Sequence, residues 1–314
     1  MASQPDTSTA RVTVALAVYN GARHLQRQLD SLAAQTVAAV DVWASDDGSS
    51  DGSRAILQDN AARWSKGAFT VVDGPRCGFA ENFRSMITDP RVGGDHVAFC
   101  DQDDVWEPDK LARALAYLAT RPAGRPALHC SRTLLIDEED RPIGHSTPFA
   151  RPPSFRNALV QSIAGANTMV MNRPAWELLR TACARTGFVS HDWWAYMIVS
   201  GAGGDVFYAQ DPDTRYRQHK GNSIGENTSL GARLSRVRRV MAGRFREWNT
   251  RNLAGLASCA DLLTPEARAV VERYAAARHG PPHRRVAALG RSGVYRQTRG
   301  GQAGLYVAAL LNRL

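Results

Sequence analysis

Two runs of carboxylates, each closing a short β-type stretch, are the residues of this chain most able to do chemistry. The first ends Val40-Asp41-Val42-Trp43-Ala44-Ser45 with Asp46-Asp47-Gly48-Ser49-Ser50-Asp51. The second ends His96-Val97-Ala98-Phe99-Cys100 with Asp101-Gln102-Asp103-Asp104, followed by Val105-Trp106. Ligands of open α/β sheets bind where strands end. Carboxylates held together repel one another, so such clusters persist around a cation or a donor-rich ligand. A nucleotide carrying Mg²⁺ or Mn²⁺ supplies both. As mere turns and helix caps, Asp46-Asp47-Gly48-Ser49 is ordinary. Three carboxylates in four residues exceed what a cap needs.

The elements that must position these groups alternate. Arg11 to Val18 reads as a strand, and Asn20-Gly21 as a turn. Leu25, Leu29 and Leu32 then fall on one helical face. Val40 to Ala44, Phe69 to Val72 and His96 to Cys100 are predicted strands; Ser53 to Trp64 and Gly78 to Ile87 are predicted helices. Pro108 sits where a helix can start, and Leu111, Leu115 and Leu118 continue it. The alternation predicts a mostly parallel sheet with helices on both faces. After Arg121 six prolines punctuate loops and short strands. Thr168 to Met171 and Asp205 to Tyr208 are predicted strands, a helix opens at Pro174, and another follows His191-Asp192-Trp193-Trp194. From about Glu226 the chain turns Arg-rich and helical, with a break at Gly280-Pro281-Pro282. The expected division is 10–225 for a catalytic domain and 226–314 for a basic helical extension.

The chain has 314 residues and ordinary apolar content, enough for a large core. Its five cysteines form no C-x-x-C pair, which argues against zinc and disulfide frameworks; Cys100 is expected to be a buried thiol in a reducing, cytoplasmic setting. The first nine residues are polar, and no apolar run approaches the roughly 20 residues of a spanning helix, so a soluble or surface-attached protein is expected. Charge is uneven. Gly231 to Leu314 holds 16 arginines, no lysine and four acids, a net +12 against +9 for the whole chain. Such a segment favours anionic partners.

No P-loop, no G-x-G-x-x-G after the first strand and no H-E-x-x-H occurs, which removes the main support for ATPase, dinucleotide-dehydrogenase and zincin readings. The remaining features come in a definite order: Val18-Tyr19-Asn20, Asp46-Asp47-Gly48-Ser49, Asp101-Gln102-Asp103-Asp104 with Trp106-x-Pro108-x-Lys110-Leu111, Gly165-Ala166-Asn167, His191-Asp192-Trp193-Trp194, and Tyr216-Arg217-Gln218-His219. From about Val12 to Gly225 this order resembles the family 2 glycosyltransferases of the GT-A fold, in particular their bacterial rhamnosyltransferase-like branch.

The resemblance implies a Rossmann-like α/β fold and a residue-by-residue site. Asp47 matches the aspartate that bonds the base, with Ala17, Tyr19 and Asn20 at the adjoining strand end. Arg76 and Asn82 fall in the segment approaching the base or diphosphate. Asp103 matches the metal-binding aspartate, and His219 a further metal or diphosphate ligand. Asp101 faces the ribose or sugar, with Gln102, Asp104 and Asn167 in the same nucleotide-sugar group. Asp192 matches the catalytic base, although the family's usual Glu-Asp pair reads His191-Asp192 here. The Gln-x-x-Arg-Trp signature of processive members is missing.

The implied activity is metal-dependent (Mg²⁺ or Mn²⁺), inverting transfer of one sugar, L-rhamnose from dTDP-rhamnose, to a cell-surface or lipid-linked glycan. A hard-oxygen site suits such a cation as Lewis acid on a departing diphosphate. An acceptor hydroxyl needs a base within reach, and Asp192 at a helix start is expected to stay ionised. A peripheral contact with the inner face of the cell membrane, or oligomerisation, falls to the C-terminal region, and nucleic acid is not an expected partner. The alternatives are a phosphatase using Asp101-x-Asp103 and a nucleic-acid-binding protein using the arginine-rich tail.

Overall fold

The computed structural model describes residues 10–219 and 244–314. Its first half follows the expected alternation: β1 (Arg11–Val18), α1 (Ala22–Ala33), β2 (Ala39–Asp46), α2 (Ser53–Arg63), β3 (Phe69–Asp73), α3 (Phe79–Thr88), β4 (His96–Cys100), β5 (Val105–Trp106) and α4 (Lys110–Leu118). β1 is buried along nearly its whole length because helices cover both sides of it. Leu25, Leu29 and Leu32 of α1 and Leu111, Leu115 and Leu118 of α4 are buried on one side with Val12, Val14 and Leu16. On the other side Ala15 and Phe99 meet Phe83 and Met86 of α3.

The second half comprises β6 (Ala127–Ile136), β7 (Pro142–His145), α5 (Phe155–Ala158), a 3₁₀ turn (Ala166–Thr168), β8 (Val170–Asn172), α6 (Arg173–Arg185), α7 (His191–Gly201) and β9 (Asp205–Arg217). The strands form one sheet in the order β3-β2-β1-β4-β8-β6-β9-β5, with β7 beside β6. Parallel ladders join β3, β2, β1 and β4, and also β6 and β9. The ladders of β8, β7 and β5 are antiparallel.

Three elements depart from the sequence reading. β6 runs ten residues through a stretch expected to be loops and short strands. The strand expected over Asp205 to Tyr208 continues to Arg217. Its register against β6 jumps from Ser131↔Ala209 to Thr133↔Thr214, so Pro212, which cannot donate to a ladder, sits in the bulge. The strand expected over Thr168 to Met171 begins only at Val170, after the 3₁₀ turn.

After the undescribed stretch come α8 (Arg244–Ser258), α9 (Pro265–Ala276), α10 (Pro282–Ser292) and α11 (Arg299–Leu310). Gly280 takes a left-handed φ of 83° at the expected break, ahead of α10. Phe245, Leu256, Tyr274, Leu289 and Leu305 share a core with Trp176, Trp194 and Ile198. The expected boundary at 225/226 lies outside the described residues. All five cysteines are free, and Cys100 is buried as expected, with its thiol pushed up by burial.

Candidate active site

Strand register brings the carboxylate runs to one edge. Val18 pairs with Asp46, Leu16 with Cys100 and Asp46 with Asp73, so Tyr19, Asp47 and Asp101 leave neighbouring strands at about the same level. The loops there are tied by side chain to backbone bonds. Asn20 adopts a left-handed φ of 48°, an uncommon state that asparagine tolerates. Its Oδ1 accepts from Ser50 N at 2.8 Å, while its own N–H donates to Ser49 Oγ at 2.9 Å. Gln102 pairs with the Tyr19 backbone in both directions, accepting at 2.7 Å and donating at 3.0 Å. A Cβ on Gly21 would overlap that Gln102 amide and force it to move. The Tyr19 ring is left 58% exposed, and Ala17 lies half-buried behind it.

Asp47 is buried, and its two oxygens accept from Arg76 N at 2.7 Å and Gly78 N at 2.8 Å. Both donors sit on a left-handed turn, with φ 60° at Arg76 and 88° at Gly78. The Arg76 side chain is exposed and lies along Gly48. Asn82 is buried under this turn, donating to Ser45 O at 3.1 Å and accepting from Ser45 Oγ at 2.5 Å. Its amide therefore belongs to the floor of the site rather than to its surface.

The second run divides. Asp104 is fully buried; its oxygens accept from Arg217 N at 3.0 Å and Asn167 Nδ2 at 2.5 Å, while burial and the neighbouring aspartates hold its carboxyl well above the ordinary range. Asp103 remains partly exposed and meets His219 Nε2 at 2.8 Å, which raises the imidazole's affinity for a proton. Asp101 is pushed up to about 7 by burial, then by Asp103 and Asp192. Asp192, a residue of another element, is thus near enough for its charge to act on Asp101.

Asp192 lies in the first turn of α7, next to Ser190 Oγ and 3.5 Å from Ser162 Oγ. Ser190, not Asp192, holds the N-cap position. Burial pushes the Asp192 carboxyl up to about 6, outweighing the backbone N–H groups that favour its anion. The helix-start argument alone misses this, though the group is still mostly ionised at neutral pH. His191 is buried and stacks on Phe83 at 3.7 Å, with Phe99 edge-on at 4.9 Å. Burial pushes it down to about 3, and neither ring nitrogen has a hydrogen-bond partner among the described residues. It is a packing ring beside Asp192. Trp106, Trp193 and Trp194 are likewise buried rather than offered to a sugar ring.

Sequence reasoning missed Arg217. Its guanidinium is buried and donates to Asp103 O at 2.8 Å and Asp137 O at 2.9 Å, and it pairs with Asp140 at 2.5 Å. Asp140 also meets Arg27 of α1 at 3.0 Å. The signal was present in the Tyr216-Arg217-Gln218-His219 run, but nothing local separates a buried arginine from an exposed one.

Among the described residues no group of three or more His, Cys, Asp or Glu is placed to hold a metal. Asp103 is a partly exposed carboxylate with His219 beside it, and one or two carboxylates completed by substrate phosphates is the usual arrangement for Mg²⁺ at nucleotides. The unrelieved repulsion on Asp101 is what such a cation would lessen.

A family model described as Glycosyl transferase family 2 matches residues 13–177. A Nostoc sp. protein named an uncharacterized glycosyltransferase is 32% identical over 140 residues, 44% of this chain and 41% of its own length. The dTDP-rhamnosyl transferase RfbG of Shigella flexneri is 23% identical over 229 residues, 71% of this chain and 78% of that one. Among solved structures, TarS 1–349 of S. aureus in complex with UDP-GlcNAc aligns over 96% of this chain and 88% of its own, with 16% identity and a TM-score of 0.52. The mannosyltransferase PcManGT of Pyrobaculum calidifontis, in complex with GDP-Man and Mn²⁺, aligns over 97% and 86%, with 19% identity and a TM-score of 0.50. These two likenesses speak for the fold.

Proposed function

The chain belongs to glycosyl transferase family 2, and from that premise we propose that it transfers a single sugar, L-rhamnose from a dTDP-linked donor, onto a cell-surface or lipid-linked glycan. The observation that supports the reading is that Asp47 and Asp101 leave neighbouring strands at one edge of the sheet, with Asp103 and Asp192 near enough to raise the Asp101 carboxyl further. The rhamnosyl donor is favoured by the similarity to RfbG.

In this reading the base stacks by Tyr19 and Ala17. Asp47 keeps lone pairs for it beyond the two spent on Arg76 and Gly78, since a carboxylate offers about four acceptor sites. Arg76, exposed on its turn, reaches the diphosphate. Asn20, Gln102 and Asn82 fix the loops around the nucleotide, and Asn167 and Asp104 fix the metal loop. Asp103 and His219 hold Mg²⁺ or Mn²⁺, which when bound neutralises the leaving diphosphate. The Mn²⁺ in the PcManGT complex is consistent with that choice. Asp101 faces the donor sugar or ribose. Asp192 takes the proton of the attacking acceptor hydroxyl. One base and one displacement give inversion at the anomeric carbon. The catalytic domain is taken as residues 10–225 and the C-terminal region as 226–314, of which α8 to α11 pack on the catalytic core.

The test is a panel of dTDP-, UDP- and GDP-sugars with Mg²⁺ or Mn²⁺, read first as protection against thermal unfolding and then as acceptor-dependent release of nucleoside diphosphate. A ligand that binds only the folded state raises the midpoint even where turnover lacks its acceptor. Metal-dependent protection by dTDP-rhamnose above the other donors is expected. Protection by none of them, or phosphate release from a simple ester, would overturn the proposal.

A further inference from the structure

The last helix presents a surface that sugar transfer leaves unused. α11 buries Leu305, Ala308 and Ala309 against the core. It turns Val307, Leu310 and Leu311, the last just past its end, outward at 49%, 48% and 48% exposure. Ala303 and Gly304, one turn earlier, are exposed as well. Single exposed apolar residues are unremarkable, but these are i, i+3 and i+4 neighbours on one face.

The surroundings are cationic. From Arg273 to Leu314 the chain has eight arginines and no acidic residue. Several gather at the end of α11. The buried Arg285 donates to Ala309 O and Leu310 O, each at 2.7 Å, which fixes α10 and its exposed neighbour Arg284 beside that end. Exposed Arg246 donates to Asn312 O at 3.1 Å, and exposed Arg313 follows directly. The Arg246 and Arg285 guanidinium groups thus sit at the end of the helix that carries the leucines, with Arg284 and Arg313 exposed next to them in sequence. Among the described residues no helix is long and apolar enough to cross a membrane.

We propose that this face docks on an anionic lipid surface, with Val307, Leu310 and Leu311 in the acyl boundary and Arg246, Arg284 and Arg313 among the headgroup phosphates. Apolar area and cationic charge act together at such an interface. A second copy of the chain would cover the leucines but bring the same arginines, with Glu247 beside Arg246 as the one acid next in sequence to any of them among the described residues. A neutral apolar partner would leave the arginines uncompensated. Docking would hold the site at a surface bearing a lipid-linked acceptor; that consequence alone rests on the transferase reading.

The experiment is sedimentation of the full chain with vesicles of phosphatidylcholine, or of phosphatidylcholine and phosphatidylglycerol in equal parts, without donor or acceptor. Its outcome is therefore separable from that of the donor panel. Binding to the mixed vesicles, absent on phosphatidylcholine and weakened by salt, is expected. Replacing Leu310 and Leu311 by Glu should lower partitioning at least about tenfold. Arg284→Ala and Arg313→Ala should each lower it about fivefold. All four side chains are exposed, so unchanged thermal midpoints will show that the variants are folded. No binding by the wild type, equal binding to both vesicle types, or undiminished binding by the Glu variant overturns the proposal. So does a dimer that the Glu variant splits without any vesicle binding, which would assign the face to self-association.

Discussion

Replacing Asp192 by Asn should abolish transfer and stabilise the protein, and the second effect should depend on pH. Burial raises the Asp192 carboxyl from its ordinary 3.8 to about 6 in the folded protein. A carboxylate shifted upward weakens the fold as pH rises. Below 3.8 the group is protonated in both states and costs nothing; between 3.8 and about 6 the unfolded chain ionises first; above 6 the penalty is complete. The shift of about two pKa units corresponds to about 3 kcal/mol at pH 8. Asparagine removes the charge and keeps one acceptor oxygen for the Ser190 hydroxyl. In a chain of this size, about 3 kcal/mol is worth about 5 °C in the midpoint. Thermal unfolding of wild type and variant from pH 4 to pH 8 should give curves that meet at the acid end and separate, variant higher, through pH 6. Over the same range wild-type transfer should rise with pH through about 6 as the base ionises, while the variant loses at least about 10²-fold and still binds donor. A variant less stable than wild type at pH 8, or a pH-independent difference, would refute the reasoning that Asp192 is a desolvated carboxylate.

Asp103→Ala should leave the midpoint of the ligand-free protein within about 1 kcal/mol, since its side chain is partly exposed, yet remove the metal-dependent part of donor protection; unchanged protection in EDTA would contradict this. Arg217→Ala should destabilise by about 3–5 kcal/mol in denaturant titration, because it leaves buried carbonyls and Asp140 without their cation. Arg217→Lys should recover only part of the loss, since a single ammonium nitrogen cannot span the separated acceptors that the planar guanidinium reaches; full recovery would mean that only the charge matters. Gly21→Ala should cost about 1–3 kcal/mol by driving the Gln102 amide off Tyr19, and adding Gln102→Ala should relieve part of that cost in a double-mutant cycle; strict additivity would show that the two do not touch.

The parallel half of the fold was legible because each of its signals is local. An apolar β run, a turn and a leucine stripe at helical spacing need no knowledge of the partner element. The antiparallel half was not. Asp211-Pro212-Asp213 reads as a turn, and only the long partner β6 makes it a bulge inside one strand. Asp213 then pairs in the interior with Lys110 at 3.2 Å, two charges whose burial no pattern announces. His191 is a similar case. Its type suggests chemistry, but Phe83 and Phe99, far away in sequence, exclude water and proton alike. The candidate base was legible by resemblance, whereas its raised pKa comes from burial that sequence cannot measure.

What the structure adds is a division of labour within Asp101-Gln102-Asp103-Asp104. Gln102 spends its amide on Tyr19, and Asp104 spends both oxygens on Arg217 and Asn167. These two face the protein and fix the backbone of the run. No hydrogen bond among the described residues uses the Asp101 carboxylate, and Asp103 gives one oxygen to His219. The division is made in the turn at Gln102 and Asp103 that joins β4 to β5. The cost of crowding three carboxylates is therefore unequal. Asp104 has both oxygens hydrogen-bonded within the fold, although burial and the neighbouring aspartates still hold its carboxyl above the ordinary range. Asp101, raised to about 7 by burial and then by Asp103 and Asp192, has no such bonds among the described residues, and a cation and a sugar's hydroxyl donors would relieve it. Arg217 couples the two sets: it anchors Asp104 through its backbone, Asp103 through its guanidinium, and the 137–140 turn to α1 through Asp140 and Arg27. The ligand-facing aspartates are thus positioned by a frame that reaches the opposite face of the sheet. This explains how a run of four polar residues can stay ordered while the Asp101 carboxylate spends no hydrogen bond among the described residues.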